Sequence, residues 1–234
     1  MQLTYYGHAC FSVSQGGPVL LFDPFISPNP LAAHIDVSAI KADYIFVTHG
    51  HQDHIADCVA IARRTGATVV AAAEIADWLN KQGVQNVHPM NVGGKKTFDF
   101  GWVKCVTAVH SSALPDGSNG GNPMGFVVNL GGETFYVAGD TALTMDMQLI
   151  PRWAQLSFAV LPIGDNFTMG YEDAIIAAEL VQCAHIVGVH YDTFGYIKID
   201  KPVVQAAFKN AGLTLHLPEI GAQTTLSKKG GFDG

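Results

Sequence analysis

Hydrophobic and polar positions along the 234-residue chain alternate between the period of a strand and that of a helix. The opening runs LTYYG (3–7), CFSVS (10–14) and PVLLFD (18–23) are β-rich and punctuated by Gly and Pro, which predicts antiparallel strands. A proline-rich loop, PFISPNP (24–30), follows. ADYIFVT (42–48) is almost continuously apolar, as a strand buried on both faces would be, and ATVVAA (67–72) reads the same way. Helical spacing runs from Ile55 to Arg64 and again through AAEIADWLNKQG (72–83), where Gly83 is a stop signal.

From Lys95 the period returns to two. KKTFDF, WVKCVTAVH, GFVVNL and TFYVAGD are predicted strands, with Gly131 and Gly132 marking a hairpin turn. FAVLPIG, the helix YEDAIIAAELVQC, the strand HIVGVH, the helix KPVVQAAFKNAG and a last strand TLHL complete the pattern. The chain therefore has two halves, each opening with antiparallel strands and ending in strand–helix alternation. Two sheets packed face to face, with helices outside, bury such strands. A single domain over 1–226 is expected, and the tail 227–234 is expected to be disordered.

Composition narrows the partners. The chain is 48% hydrophobic and only 14% charged, which is globular. The formal charge is −7 with no long basic cluster, so nucleic acid is disfavoured as a main partner and a small-molecule substrate is expected. No apolar run approaches the roughly 20 residues that a membrane span needs. Cys10, Cys58, Cys105 and Cys183 have no pairing pattern, and the first residues have no secretory signature, so free thiols and a cytoplasmic location are expected.

The chemistry concentrates in THGHQDHI, residues 48–55, which holds His49, His51, Asp53 and His54. Three further donors end apolar β runs: His110, Asp140 and His190. A strand delivers its last side chain to one rim of its sheet, so the seven groups are expected to converge. Five imidazoles and two carboxylates suit borderline divalent ions, and seven donors exceed one tetrahedral ion but serve two that share a carboxylate. Asp23 in LFDPF is placed to accept an imidazole N–H and fix a ligand's tautomer, or else is a turn aspartate before Pro24.

HGHQDH, followed by His110, Asp140 and His190 at strand ends, resembles the metallo-β-lactamase superfamily of dinuclear hydrolases. The resemblance implies a four-layer αββα sandwich of two mixed sheets flanked by helices. It implies His49, His51 and His110 on a first metal, Asp53, His54 and His190 on a second, and Asp140 bridging. It also implies hydrolysis by a metal-activated hydroxide, with Asp53 orienting the water and moving its proton. Zinc is the expected metal, with manganese, iron or nickel as substitutes.

Asp140 stands where lactam-cleaving members carry cysteine, and His51 where oxygen-reducing diiron members carry Glu. Together YYGHACF, LFDPF and PIGDNFTMG are similar to a bacterial group of metal-dependent hydrolases related to the ascorbate-phosphate lactonases. That similarity points His8 into the site as a substrate contact or proton donor; a histidine capping a strand end is the other reading. Asn166, Thr168, Met169 and Gly170, between a strand and a helix, and Tyr191, beside His190, are candidate substrate contacts. The expected substrate is a small lactone or phosphodiester. A metal-binding or sensing module without catalysis and a metal-dependent redox enzyme are the other classes. Self-association is expected from the resemblance.

Overall fold

The computed structural model describes residues 1–226, and the tail expected at 227–234 lies outside the described residues. The first sheet contains β1 (Gln2–Gly7), β2 (Cys10–Ser14), β3 (Leu20–Phe22), β4 (Tyr44–Phe46), β5 (Thr68–Ala72) and β6 (Val87–Met90). The second contains β7 (Lys95–Phe98), β8 (Gly101–Thr107), β9 (Met124–Leu130), β10 (Glu133–Val137), β11 (Phe158–Pro162), β12 (His185–Val189) and β13 (Thr214–His216). The chain then returns to the first sheet as β14 (Gln223–Thr225), which pairs with β1. TLHL is therefore not the final strand.

Each sheet has seven strands, in the orders β14-β1-β2-β3-β4-β5-β6 and β13-β12-β11-β10-β9-β8-β7. In both, an antiparallel portion gives way to a parallel one, at β3–β4 and at β10–β11. The helices α1 (Gln52–Ile55), α2 (Cys58–Thr65) and α3 (Ala73–Lys81) belong to the first half, and α4 (Tyr171–Leu180) and α5 (Lys201–Asn210) to the second. This is the four-layer αββα sandwich of two mixed sheets.

Aromatic side chains join the layers. Phe22 meets Phe135 edge to face at 5.9 Å, and Phe46 meets Phe126 at 5.3 Å, all four fully buried. Rings at these separations add to the hydrophobic gain from their own burial. A second cluster, including Val127, Tyr136, Leu161, Ala174, Ala177 and Phe208, seals α4 and α5 against the outer face of the second sheet.

The helical period from Ile55 to Arg64 is broken in the structure. Asp57 separates α1 from α2 because its carboxylate accepts the amides of Ile26 at 2.6 Å and Ser27 at 2.9 Å, and its own amide donates to Pro24 O. The bend fastens the proline-rich loop beside the histidine run.

Candidate metal centre

The strand β4 carries the chain through the core to Val47 and Thr48, and the histidine run begins where its pairing ends. The Thr48 amide donates to Asp23 Oδ1 and the Thr48 hydroxyl donates to Asp23 Oδ2, both at 2.8 Å. With its proton given to Asp23, Thr48 Oγ1 accepts from His49 Nδ1 at 3.0 Å. Asp23 Oδ2 also accepts from His54 Nδ1 at 2.9 Å. Both rings thus take the tautomer that leaves Nε2 with a free lone pair, as ligating histidines require.

The second sheet completes the rim. β8 leads towards His110, β10 ends at Val137 three residues before Asp140, and β12 runs directly into His190. Asp140 Oδ2 lies 3.0 Å from His190 Nε2, 3.5 Å from His110 Nε2 and 3.9 Å from His49 Nε2. Its other oxygen, Oδ1, lies 3.3 Å from His54 Nε2. His49 Nε2 faces His51 Nδ1 at 3.0 Å, and Asp53 Oδ2 lies 3.7 Å from His190 Nε2 and 3.8 Å from His54 Nε2. All seven donors named from the sequence are brought together.

Three overlapping groups have ligand atoms within 4.8 Å of one another: His49, His51 and His110; His8, Asp53, His54 and His190; and His49, His54 and Asp140. Imidazole nitrogens about 2.0–2.1 Å from a zinc-sized ion at tetrahedral angles stand about 3.3 Å apart, which falls within this limit. The buried atoms His54 Nε2, His190 Nε2 and Asp140 Oδ1 lack a hydrogen-bond partner among the described residues. Buried polar atoms ordinarily have partners, so convergent unpartnered lone pairs fit a divalent cation.

Charge balance carries the same message. Burial pushes the His49, His51 and His110 imidazoles down, keeping them neutral as ligands must be. His54 and His190 go the other way: burial opposes their charge, but Asp140, with Asp23 beside His54 and Asp53 beside His190, outweighs it. His190 rises to about 9. Burial likewise opposes charge on Asp140 and Asp53, yet the imidazoles around them hold both carboxyls well below the usual range. The carboxylates demand positive charge, which protons on two histidines or bound cations can provide.

His8 is 1% exposed and stands behind the rim. Its Nε2–H donates to Asp53 Oδ2 at 3.0 Å, and its Nδ1 lies 3.0 Å from the hydroxyl oxygen of Thr193, which also reaches Tyr191 O. Burial first, and then His190, pushes its imidazole down to about 4. This buried position suits holding Asp53 more than touching substrate.

The cavity over the donors, about 280 Å³, has Asp53, Asp140, Ser111, Phe167 and Phe194 in its wall. Of the five candidate substrate contacts none lines it. Met169 is 1% exposed in the core, and Gly170 caps α4. Thr168 donates its hydroxyl to Met169 O, and Asn166 lies exposed on the turn before Phe167. Tyr191 is buried and lines a different cavity with Tyr5 and His8. Phe167 takes the wall position because the turn at Asp165 and Asn166 points the next residue outward. The SSALPDGSNGGNP loop has the composition of a mobile flap, yet the Gly50 amide donates to Ser112 Oγ and Leu114 is buried against Gly50.

Thr48, Ser111 and Thr193, which hydrogen-bond His49, His51 and His8, were not identified from the sequence as ring partners. The usable signal was position: each is a hydroxyl residue within three positions of a strand-end histidine.

The chain matches the family described as the beta-lactamase superfamily domain over residues 19–191. A UPF0173 metal-dependent hydrolase of Flavobacterium johnsoniae is 50% identical over 97% of this chain and all of the relative. One from Methylacidiphilum infernorum is 47% identical over 94% of this chain and 97% of its own. Among solved structures, Igni18, a metallo hydrolase from Ignicoccus hospitalis, superposes with a TM-score of 0.85 at 33% identity, covering 95% of this chain and 96% of its own. With the fold, the donor cluster and these relatives in agreement, the chain belongs to the metallo-β-lactamase superfamily, in its group of metal-dependent hydrolases.

Proposed function

We propose that the protein uses two divalent ions, zinc foremost, to hydrolyse a small ester-type substrate, a lactone in preference to a phosphodiester. The observation that carries this reading is the reach of Asp140, whose Oδ1 faces His54 and whose Oδ2 faces His190, His110 and His49. One carboxylate thereby belongs to both donor sets. His49, His51 and His110 would hold one ion, and Asp53, His54 and His190 the other. When bound, such ions polarise the scissile oxygen and lower the pKa of water from about 15.7 towards about 7.

The chain's own groups do the positioning. Asp53 lies at the cavity wall, about a quarter exposed, with His8 fixing one carboxylate oxygen. Its low pKa suits orienting the attacking water more than storing the proton. The water oxygen bonds to the ester carbon, the ring C–O bond breaks, and the proton passes to the departing oxygen. Phosphate recognition favours Arg, Lys or a helix N-terminus, and neither Lys198 nor the start of α4 lines the cavity.

Elemental analysis of the purified protein, with hydrolysis assays on a lactone panel and bis(p-nitrophenyl) phosphate, tests the proposal. About two metals per chain, and turnover lost on chelation and restored by zinc or manganese, are expected. One metal or none, with no turnover on either panel after reconstitution, would overturn it and favour a non-catalytic metal-binding module.

A further inference from the structure

We propose that the part of the substrate that does not react is uncharged and apolar, an aryl group foremost, and that it lies in an aromatic groove opening from the metal centre. The proposal rests on the hydrolase reading and specifies its substrate class. The groove, about 820 Å³, is walled by Phe25, Pro28, Gln52, Phe167, Phe194 and Tyr196. Asp53, Phe167 and Phe194 belong to this wall and also to that of the cavity over the metal donors. The two spaces therefore adjoin, sharing a wall at the residue that would orient the attacking water.

These rings are displayed to solvent. Phe167 is 50% exposed, Tyr196 78% and Phe194 36%. Phe167 and Tyr196 stand edge to face at 6.1 Å, and Phe194 lies 6.4 Å from Phe25. Clustered apolar exposure of this kind marks a binding surface.

The backbone holds the rings there at a cost. Asp165 and Asn166 both have left-handed φ, 63° and 60°, immediately before Phe167. Consecutive non-glycine residues in that region are disfavoured, and burial of Phe167 gives no compensation because half of its surface is exposed. Asp165 Oδ1 accepts the Asn166 amide at 2.7 Å and stabilises the turn. Further along the chain, Asp192, with φ 63°, accepts the Ile199 amide and closes the loop that carries Phe194 and Tyr196. The Ser27 hydroxyl donates to Asp57 at 2.6 Å, which ties down the loop carrying Phe25.

Charge decides the tail. Among the described residues Asp53 is the one side chain in the groove wall that carries a charge at neutral pH, and no lysine or arginine lines it or the metal cavity. An anionic tail would give up its hydration without a partner, whereas a neutral ring exchanges water for ring edges and faces. A second copy of the chain seated on these rings would close the route to Asp53, so a small molecule is the occupant that leaves the centre usable.

The test reads binding without turnover, by NMR titration of the metal-loaded full chain with propan-1-ol, 3-phenylpropan-1-ol and 3-(4-carboxyphenyl)propan-1-ol. The phenyl alcohol is expected to bind about tenfold more tightly than either of the others, the gain from covering roughly 50 Å² of apolar surface. Phe167→Ser and Tyr196→Ser should each remove most of that preference while leaving metal content unchanged. Both side chains are exposed, so two independent variants guard against one failing to fold. Equal affinity for the three alcohols, tighter binding of the carboxylate, or a preference unchanged in both variants would overturn the proposal. So would sedimentation showing a wild-type oligomer that both substitutions dissociate with alcohol binding unaltered. If the phenyl preference holds and no ester is cleaved, the groove stands and the hydrolase reading alone fails.

Discussion

Asp23 Oδ2 accepts the Nδ1 proton of His54 at 2.9 Å, and the same carboxylate holds the amide and hydroxyl of Thr48. One fully buried aspartate in a left-handed turn, φ 43°, thus sets the rings of His54 directly and His49 through Thr48. His49 groups with His51 and His110, and His54 with His8, Asp53 and His190, while both meet Asp140, so Asp23 orients rings on both sides of the site without being among these donors.

Asp23→Asn keeps the shape and removes the acceptor charge. Metal affinity is expected to fall about 10–100-fold, the usual loss when a ligand's hydrogen-bond partner is replaced. Competition with a chromogenic chelator measures it, and wild-type affinity would refute the role.

Asp140→Asn tests the shared carboxylate. Four imidazoles crowd that one group, so its neutralisation should lower the metal count from two towards one and reduce ester turnover at least about a hundredfold. Metal analysis after gel filtration, alongside kcat, checks this; two retained metals would show that Asp140 is not shared.

Gly139 sits at φ +65° just before Asp140, and a Cβ there would come 2.8 Å from Thr48 Cβ. Gly139→Ala therefore meets both a disfavoured backbone and a packed neighbour, and is expected to cost about 1–3 kcal/mol. That corresponds to a fall of about 3–10 °C in Tm. Gly132→Ala is the control, because Gly132 has φ +90° but nothing within 4 Å. Equal losses in the two variants would mean that contact with Thr48 contributes nothing.

Away from the metal centre, His216 on β13 stacks near His185 at 6.1 Å, and burial, with His185 second, pushes its imidazole down to about 4. The unfolded chain titrates this group near 6.5, so between about 6.5 and 4 it binds a proton that the folded chain refuses. Stability should therefore fall as the pH drops through that window and level off below it. His216→Gln should flatten the part of the Tm profile between pH 6.5 and 4 that belongs to this site; an unchanged slope would assign the acid sensitivity elsewhere.

The apolar runs identified most strands because a strand buried on both faces has no choice but to be apolar. They missed β6, whose VHPM has a partly exposed pattern, and β14, which pairs with β1 more than 200 residues away. The helix over 55–64 split because Asp57 bonds to the loop at Ile26 and Ser27, a contact that no local period records.

By itself the sequence determined the alternation of strands and helices, and the seven donors, because strand ends and histidine spacing are local properties. Only the tertiary structure decided that Asp140 reaches both donor sets, that His8 backs Asp53, and that Phe167 and not Met169 lines the cavity. Those outcomes depend on where two sheets meet and which way a strained turn points its next side chain, and both are set by packing between segments far apart in the chain.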